Sequence, residues 1–238
     1  MKKKIIFSFL LLTILVLVVG CGKKSEETET ELGNNKVGGW ELILTDTKAS
    51  IPEEASKAFK EAFEGYVGLN VEEVALLGTQ VVAGTNYMFL CKGTPVVAKP
   101  TTSYKVAIVY KDLEGKSKVS EVKDFDIANY ANSDNDYKGE KVTGGWSTEF
   151  PAEGVKLEDK IQNLFDNTAK KMVGISYSPI AVLGKQIVSG TNYAVLAYGK
   201  LSTADATTGV YLLTLNEDLK GNQKVVSSSY IDLADFNN

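Results

Sequence analysis

The chain has 238 residues, with 26 basic and 30 acidic side chains, no histidine and a formal net charge of −4 at pH 7. An acidic surface disfavours nucleic-acid binding, because that binding depends on neutralising phosphates with basic side chains. Without histidine the chain lacks the usual general base, the Ser-His and Cys-His nucleophile pairs and the commonest metal ligand. We therefore expect neither catalytic residues nor a metal or other cofactor.

Residues 1–20 are predicted to be a lipoprotein signal peptide. Three lysines precede an apolar run and Gly20, which is the order of a secretory signal. Cys21 follows directly, and this junction resembles the bacterial lipobox, in which the cysteine is lipidated, as with palmitate, and becomes the mature N-terminus. We expect lipidated Cys21 to anchor the chain at the extracytoplasmic face of the bacterial cell membrane. The alternative, an uncleaved membrane helix, is disfavoured because the apolar run is short for a bilayer span.

Two polar stretches are predicted to connect the folded parts. Residues 21–37 are rich in Lys, Glu, Thr, Asn and Gly, and residues 131–143 are rich in Asn, Ser, Asp, Lys and Gly. Neither stretch can bury enough apolar surface to offset the entropy of ordering. The first is therefore predicted to be a flexible tether and the second a linker.

The folded part is predicted to be one module used twice. Gln80–Tyr87 reads QVVAGTNY, and Gln186–Tyr193 reads QIVSGTNY 106 residues later. The triplet Gly-Gly-Trp at residues 38–40 returns at residues 144–146, at the same spacing. A repeat of this length suits a small domain. The two domains are predicted at residues 38–130 (the first copy) and 144–238 (the second copy).

Each copy contains one predicted helix. Pro52, followed by two glutamates, is typical of a helix start. Apolar residues recur at helical spacing in the first copy at Ala55, Ala58, Phe59, Ala62, Phe63 and Tyr66. The second copy has Leu157, Ile161, Leu164, Phe165, Ala169 and Met172. Gly68 and Gly174 are predicted to end the two helices.

The remainder of each copy is typical of strands around glycine-containing turns. Strands are predicted in the first copy at Val71–Val82, Asn86–Lys92, Tyr104–Tyr110 and Ser117–Phe125. Strands are predicted in the second copy at Tyr177–Val188, Asn192–Tyr198, Thr208–Leu215 and Lys224–Ile231. Short opening strands are predicted at Trp40–Leu44 and Trp146–Phe150. Because a lone helix buries its apolar stripe only against a sheet, we predict an α+β fold in which each helix packs across a curved antiparallel sheet of four to five strands.

The glycine pair, the helix and the Q-x-V-x-G hairpin of each copy resemble the cystatin superfamily, the stefin and cystatin inhibitors of papain-type cysteine proteases. The resemblance covers each copy nearly end to end. It implies two tandem cystatin-like domains on a bacterial lipoprotein. The implied activity is reversible inhibition of papain-like cysteine proteases by occlusion of the active-site cleft, without catalysis by this chain. The chain is then a monomer with two binding heads.

The resemblance also implies which residues bind the protease. The glycine segment of the binding edge matches Gly38 and Gly39, and in the second copy Gly144 and Gly145. The first hairpin loop matches Gln80, Val81, Val82, Ala83 and Gly84, and in the second copy Gln186, Ile187, Val188, Ser189 and Gly190. The second hairpin loop of the family usually carries Pro-Trp, and neither Asp112–Gly115 nor Asp218–Gly221 contains it.

Several of these residues also have a structural interpretation. The motif glycines satisfy turn geometry, and the motif glutamines can hydrogen-bond within the loop. Trp40 and Trp146 either anchor the chain to a partner or lie in the core. The residues after them alternate between apolar and polar as in a strand, which favours the core. Cys91, in a strand-like run, is predicted to be a small buried filler. The alternative function is therefore a non-inhibitory surface recognition or adhesion lipoprotein with the same fold.

Overall fold

The computed structural model describes residues 39–40, 51–131, 146–148, 157–203 and 208–237. Contacts divide the chain into two units, Met1–Asn34 and Asn35–Asn238, and every described residue belongs to the second. The predicted signal peptide, Cys21, the tether, most of the linker and three glycines (Gly38, Gly144 and Gly145) lie outside the described residues. Within the described ranges, no helix has the length and apolar character to cross a membrane.

The first copy contains one long helix and four strands. Its elements are α1 (Glu53–Phe63), β1 (Leu69–Val82), β2 (Gly84–Pro95), β3 (Ser103–Lys111), β4 (Ser117–Asp124) and the short α2 (Ala128–Ala131). The four long strands predicted in this copy are present, and β2 extends beyond its predicted bounds at both ends. The predicted opening strand Trp40–Leu44 lies outside the described residues except for Trp40.

The second copy repeats this order. Its elements are β5 (Ser147–Thr148), α3 (Asp159–Asn167), a 3₁₀ turn (Ala169–Lys171), β6 (Ile175–Val188), β7 (Gly190–Leu201), β8 (Thr208–Asp218), β9 (Gln223–Ile231) and a final 3₁₀ turn (Leu233–Phe236). The strands β6 and β7 begin and end 106 residues after β1 and β2. The sequence repeat is therefore also a structural repeat.

The first helix begins where the sequence predicts, and both helices end earlier than predicted. Pro52 caps α1, and acidic residues occupy its first turn, where they face the positive end of the helix dipole. The prediction that Gly68 and Gly174 end the helices is wrong, since α1 ends at Phe63 and α3 at Asn167. Both glycines have φ of +88° and instead lie in the turn that leads into the next strand.

The strands form two antiparallel sheets. The first sheet has the order β1-β2-β3-β4, and the second has the order β5-β6-β7-β8-β9. Register shifts occur at matching places, between Leu76 and Gly78 in β1 and between Val182 and Gly184 in β6. Two antiparallel sheets with few helices confirm the α+β class.

One face of each sheet packs with the helix of its own copy. Ala55, Ala58 and Phe59 of α1 share a buried cluster with apolar residues of β1, β2 and β3. Leu164 and Phe165 of α3 share another with residues of β6, β7 and β8. The predicted stripes are therefore buried in the middle of each helix, whereas Tyr66 and Met172, which were predicted to continue them, lie beyond the helix ends and are exposed.

The other faces of the two sheets pack together, which the sequence analysis did not predict. A single buried cluster contains Met88 and Leu90 of β2 together with Leu196 of β7 and Leu212 of β8. A hydrogen bond joins the same faces, because the Tyr198 hydroxyl donates to the Leu76 carbonyl at 2.8 Å. The two copies therefore share one hydrophobic core.

The end of the first copy is also fastened to the second sheet. The carbonyl of Ala131 accepts hydrogen bonds from the hydroxyls of Thr214 at 3.0 Å and Ser227 at 3.1 Å. The carbonyl of Tyr130 accepts one from Ser229 at 2.6 Å. Ala131, the first residue of the predicted linker, is buried. These bonds satisfy the carbonyls at the end of α2, which has no further helical turn to use them.

Candidate functional site

The motif in each copy forms a tight hairpin end between two long strands. In the first copy Val82 pairs with Gly84, which leaves Ala83 alone at the tip, and Val188 pairs with Gly190 in the same way around Ser189. We call residues 80–84 and 186–190 the first loops. The matching registers mean that the two loops share one backbone design.

The motif glycines are required by the backbone. Gly84 and Gly190 both have φ of +116°, a region that residues with a side chain rarely adopt. A Cβ on Gly84 would lie 2.3 Å from the Lys111 carbonyl oxygen, and a Cβ on Gly190 would lie 2.2 Å from that of Glu217. The glycines therefore let the first loop lie against the end of the next hairpin.

The motif glutamines face inward. Gln80 and Gln186 are buried, and their side-chain oxygens accept hydrogen bonds from Asn86 at 2.7 Å and Asn192 at 2.9 Å. These bonds join the two strands beside each tip, within the motif itself. The glutamines therefore hold the shape of the first loop, and the side chains free to touch a partner are those at its tip.

A second loop lies beside each first loop. We call residues 112–115 and 218–221 the second loops; the strand pair Thr85–Lys111 brings the first of them alongside the first loop of its copy. The hydroxyl of Tyr110 donates to the Ala83 carbonyl and ties the two loops together. In both second loops an aspartate carboxylate accepts a backbone N–H four residues on, at 2.8 Å. Both loops of each copy are therefore fixed by internal hydrogen bonds.

All four loops present apolar side chains to solvent. Val81 and Ile187 of the first loops are 57% and 65% exposed, and Val82 is also exposed. Leu113 and Leu219 of the second loops are 79% and 86% exposed. These leucines were not predicted to be site residues. Both copies nevertheless contain the sequence Asp-Leu-x-Gly at the repeat spacing, and this shared motif could have indicated them. Each copy thus places two apolar tips side by side.

The predicted glycine segments before the two helices are described only in part. Gly39 is described and half-buried, while the other three glycines of the predicted segment lie outside the described residues. In the second copy β5 pairs with β6 through Ser147 and Lys185, next to the first loop. Trp40 and Trp146 pack against the core shared by the sheets, as the alternating letters predict. Their indole N–H groups are buried and have no hydrogen-bond partner in the part of the chain described.

An ion pair supports the hairpin base of each copy, with its charges exchanged. In the first copy Lys111 binds Glu54 of α1 at 2.7 Å, and at the equivalent positions Glu217 binds Lys160 of α3 at 2.9 Å. The hydrogen bond from each lysine holds the pKa of the partner glutamate, Glu54 or Glu217, below its ordinary value. In the second loop, the hydrogen bond from the Asn222 side chain lowers the pKa of Asp218 in the same direction.

Cys91 is buried on the helix-facing side of β2, as predicted. Its side chain is fully enclosed, and its thiol donates to the Lys105 carbonyl at 3.4 Å. Burial raises the pKa of this thiol to about 12. A protonated and enclosed thiol is neither a nucleophile nor a metal ligand.

Among the described residues, no three His, Cys, Asp or Glu side chains lie close enough together to hold a metal ion. An open groove of about 540 Å³ runs along α1 beside Lys57, Phe63 and Val71. What the loops provide instead is a rigid, partly apolar edge, which suits contact with another macromolecule.

Comparison of the sequence with family models and with curated proteins identifies no relative. No protein-family model matches the sequence, and no curated protein is similar to it. The repeated motif and the loops are therefore the features of the molecule that bear on its function.

Proposed function

We propose that each copy is a cystatin-like module and that the chain is a reversible inhibitor of papain-like cysteine proteases. The observation that carries the proposal is the pair of exposed apolar loop tips in each copy, supported by buried motif residues. An inhibitor of this kind does no chemistry. It fills the active-site cleft of the protease with a shape that the protease cannot cleave.

The loops have the physical properties that such a wedge needs. Val82 and Leu113 would lose water on entering a narrow cleft, which stabilises the complex in proportion to the apolar area buried. The first loop is held by the Asn86–Gln80 bond and the Tyr110–Ala83 bond before any partner arrives. Because the loop is already ordered, binding costs less conformational entropy than binding of a free peptide.

The proposal extends to the location and valency of the chain. Lipidated Cys21 would hold the protein at the extracytoplasmic face of a bacterial cell membrane, with residues 21–37 as a tether. Two binding heads would let one monomer engage two proteases or bind a multivalent target with avidity. The proposed partners are these proteases and the membrane, and no nucleic acid is proposed.

One observation favours the alternative of a non-inhibitory recognition lipoprotein. The motif glycines and glutamines are required by the fold itself. Gly84 lies against the Lys111 carbonyl, and the Gln80 side chain accepts a hydrogen bond from Asn86. A protein that kept only the fold would also need these residues. The alternative therefore predicts that the exposed tips can be changed without any effect on a protease.

The test is inhibition of papain and of a cathepsin by chains with Val82→Asp, Ile187→Asp or both. Both side chains are exposed, so the fold should survive the changes. An aspartate that is buried on binding the protease should raise the inhibition constant of the altered head at least about tenfold. Val67→Asp, a fully exposed valine in the turn after α1, is the matched control. Equal inhibition by all four chains would contradict the loop assignment, and no inhibition by the parent chain would favour the alternative.

A further inference from the structure

The turn before β6, at the end of the second sheet opposite the first loop, carries an unusual set of side chains. It reads Lys170-Lys171-Met172-Val173-Gly174. Val173 is 97% exposed, and Met172 is also exposed. Gly174 has φ of +88°, which turns the chain sharply into β6 and leaves Val173 projecting. Nothing among the described residues covers this valine.

The neighbouring strand end adds to the same surface. Leu201 pairs with Ile175 and Lys200 with Ser176 at the end of the β6–β7 ladder. The N–H of Ser202 donates to the Gly174 carbonyl at 2.9 Å, which fixes the two segments side by side. Lys200 and Leu201 are both exposed. We call Lys170–Val173 with Lys200 and Leu201 the basal patch.

The basal patch is cationic around an apolar centre. Lys170 is paired with Asp166 at 3.1 Å, and the Lys171 ammonium donates to the side-chain oxygen of Asn167 at 3.4 Å. Within the described part of the chain, neither Lys171 nor Lys200 has a carboxylate within ion-pair distance. Two of the three lysines of the patch therefore have no carboxylate partner among the described residues.

The first copy has the same turn with different charges. Its equivalent residues read Glu64-Gly65-Tyr66-Val67-Gly68, and Gly68 has the same φ of +88°. Val67 is 91% exposed, so the apolar projection is kept. The two lysines are replaced by an acid and a glycine. The cationic character is thus specific to the second copy, although the backbone is shared.

We propose that the basal patch rests on an anionic lipid surface. Exposed apolar side chains beside lysines suit the boundary between headgroups and acyl chains. Lysines near an anionic bilayer each strengthen attachment about fivefold, and added salt screens this attraction. The inference does not depend on protease binding.

Lipid contact at this end orients the rest of the second copy. The strand β6 has 14 residues, which at about 3.3 Å per residue places its two ends about 45 Å apart. The basal patch lies at one end and the first loop, Gln186–Gly190, at the other. With the patch on the bilayer, the loop tips point away from the membrane and stay accessible to a large partner.

The test measures membrane contact at single positions in the full chain bound to vesicles. A polarity-sensitive label is placed on Val173→Cys, on Val67→Cys as the matched control, and on Leu219→Cys at the opposite end. The buried Cys91 does not compete for the label, and the labelled parent chain gives the background, including any label taken up by Cys21. The vesicles contain phosphatidylcholine mixed with phosphatidylglycerol, with or without a nitroxide-bearing lipid as quencher.

We expect the label at position 173 to be quenched several-fold more than those at 67 and 219. The difference should disappear with Lys171→Glu and Lys200→Glu, in vesicles of phosphatidylcholine alone, and in high salt. Circular dichroism checks that these exposed changes leave the fold intact. Equal quenching at 173 and 67 would overturn the proposal. Quenching at 173 that stays the same after the lysine changes and without the anionic lipid would also overturn it.

Discussion

Gly84 and Gly190 combine two constraints, a positive φ and no space for a Cβ, that Gly68 and Gly199 respectively meet singly. Each has positive φ, and each touches the carbonyl of the neighbouring strand end with no room for a methyl group. Gly68 has positive φ as well, yet a Cβ there would meet nothing within 4 Å. The motif glycine therefore joins the first loop to the second, and a side chain there would push the loops apart.

This contrast gives a prediction for stability. Gly68→Ala should lower the free energy of unfolding by about 1–2 kcal/mol, the cost of left-handed backbone for a residue with a Cβ. Gly84→Ala should cost about 3 kcal/mol or more, because the strained backbone also has to move away from the Lys111 oxygen. Urea unfolding of both variants measures the difference. Equal losses would show that the contact with Lys111 is not restrictive.

Cys91 provides a second prediction at this scale. Its raised pKa, about 12, and its complete burial should make it inert to a thiol reagent in the folded state near pH 8. In the compact unit from residue 35 onward it is the one cysteine of the sequence, so the reaction is simple to follow. We expect reaction only at the rate of unfolding, and full reaction in denaturant. Rapid labelling of the native protein would contradict the buried position.

Among the elements, the two helices are attached to their sheets by ion pairs of opposite sense. The exchange means that α1 placed on the second sheet would bring Glu54 to Glu217, and α3 on the first would bring Lys160 to Lys111. Like charges at these positions repel, whereas the native pairs attract. The charges therefore favour assembly of each helix with its own copy, despite the similarity of the two sequences.

These pairs predict a pH dependence. The folded-state pKa values of Glu54 and Glu217 are lowered, so the unfolded chain binds more protons as the pH falls below about 4.5. Their contribution to stability is present above that pH and is lost as the pH falls through the folded-state values. We expect the urea midpoint to fall less steeply in acid for the double variant Glu54→Gln and Glu217→Gln. Glu114→Gln, in an exposed second-loop position, is the control, and an unchanged acid slope in the double variant would contradict the assignment.

The elements also show how far the sequence predicts the fold. Helical spacing and alternation located α1, α3 and the eight long strands because each of these signals is local. The helix ends were misplaced because Gly68 is needed by the turn into β1 and not by the helix. The unbroken apolar run Met88–Cys91 carried a signal that both faces of β2 are buried, by α1 on one side and the second sheet on the other. Periodicity says nothing of which element covers the second face.

At the scale of the molecule, the two copies are coupled through their shared core. Leu196 of the second copy lies in one buried cluster with Leu90 of the first, and Tyr198 bonds the Leu76 carbonyl. Separating the copies would expose an apolar sheet face on each. The candidate loops were located from the motif alone, but this coupling requires contacts between distant segments that a single sequence does not specify.

The shared core predicts that the copies unfold together. Leu196→Ala should remove about 2–5 kcal/mol, as large-to-small changes in a packed core do. Because the same core stabilises the first copy, probes in both copies should report one transition at the same lower denaturant concentration. An exposed change such as Leu219→Ala, in a second loop, should leave the transition where it is. Two separate transitions would contradict the shared core.

The measurement that tests the central claim most directly is a titration of active papain with the folded chain. If both sets of loops form inhibitory wedges, activity should fall competitively with substrate, the chain should stay uncleaved, and each chain should bind two protease molecules. Papain that stays fully active in an excess of folded chain, or that simply cleaves the first loops, would contradict the account.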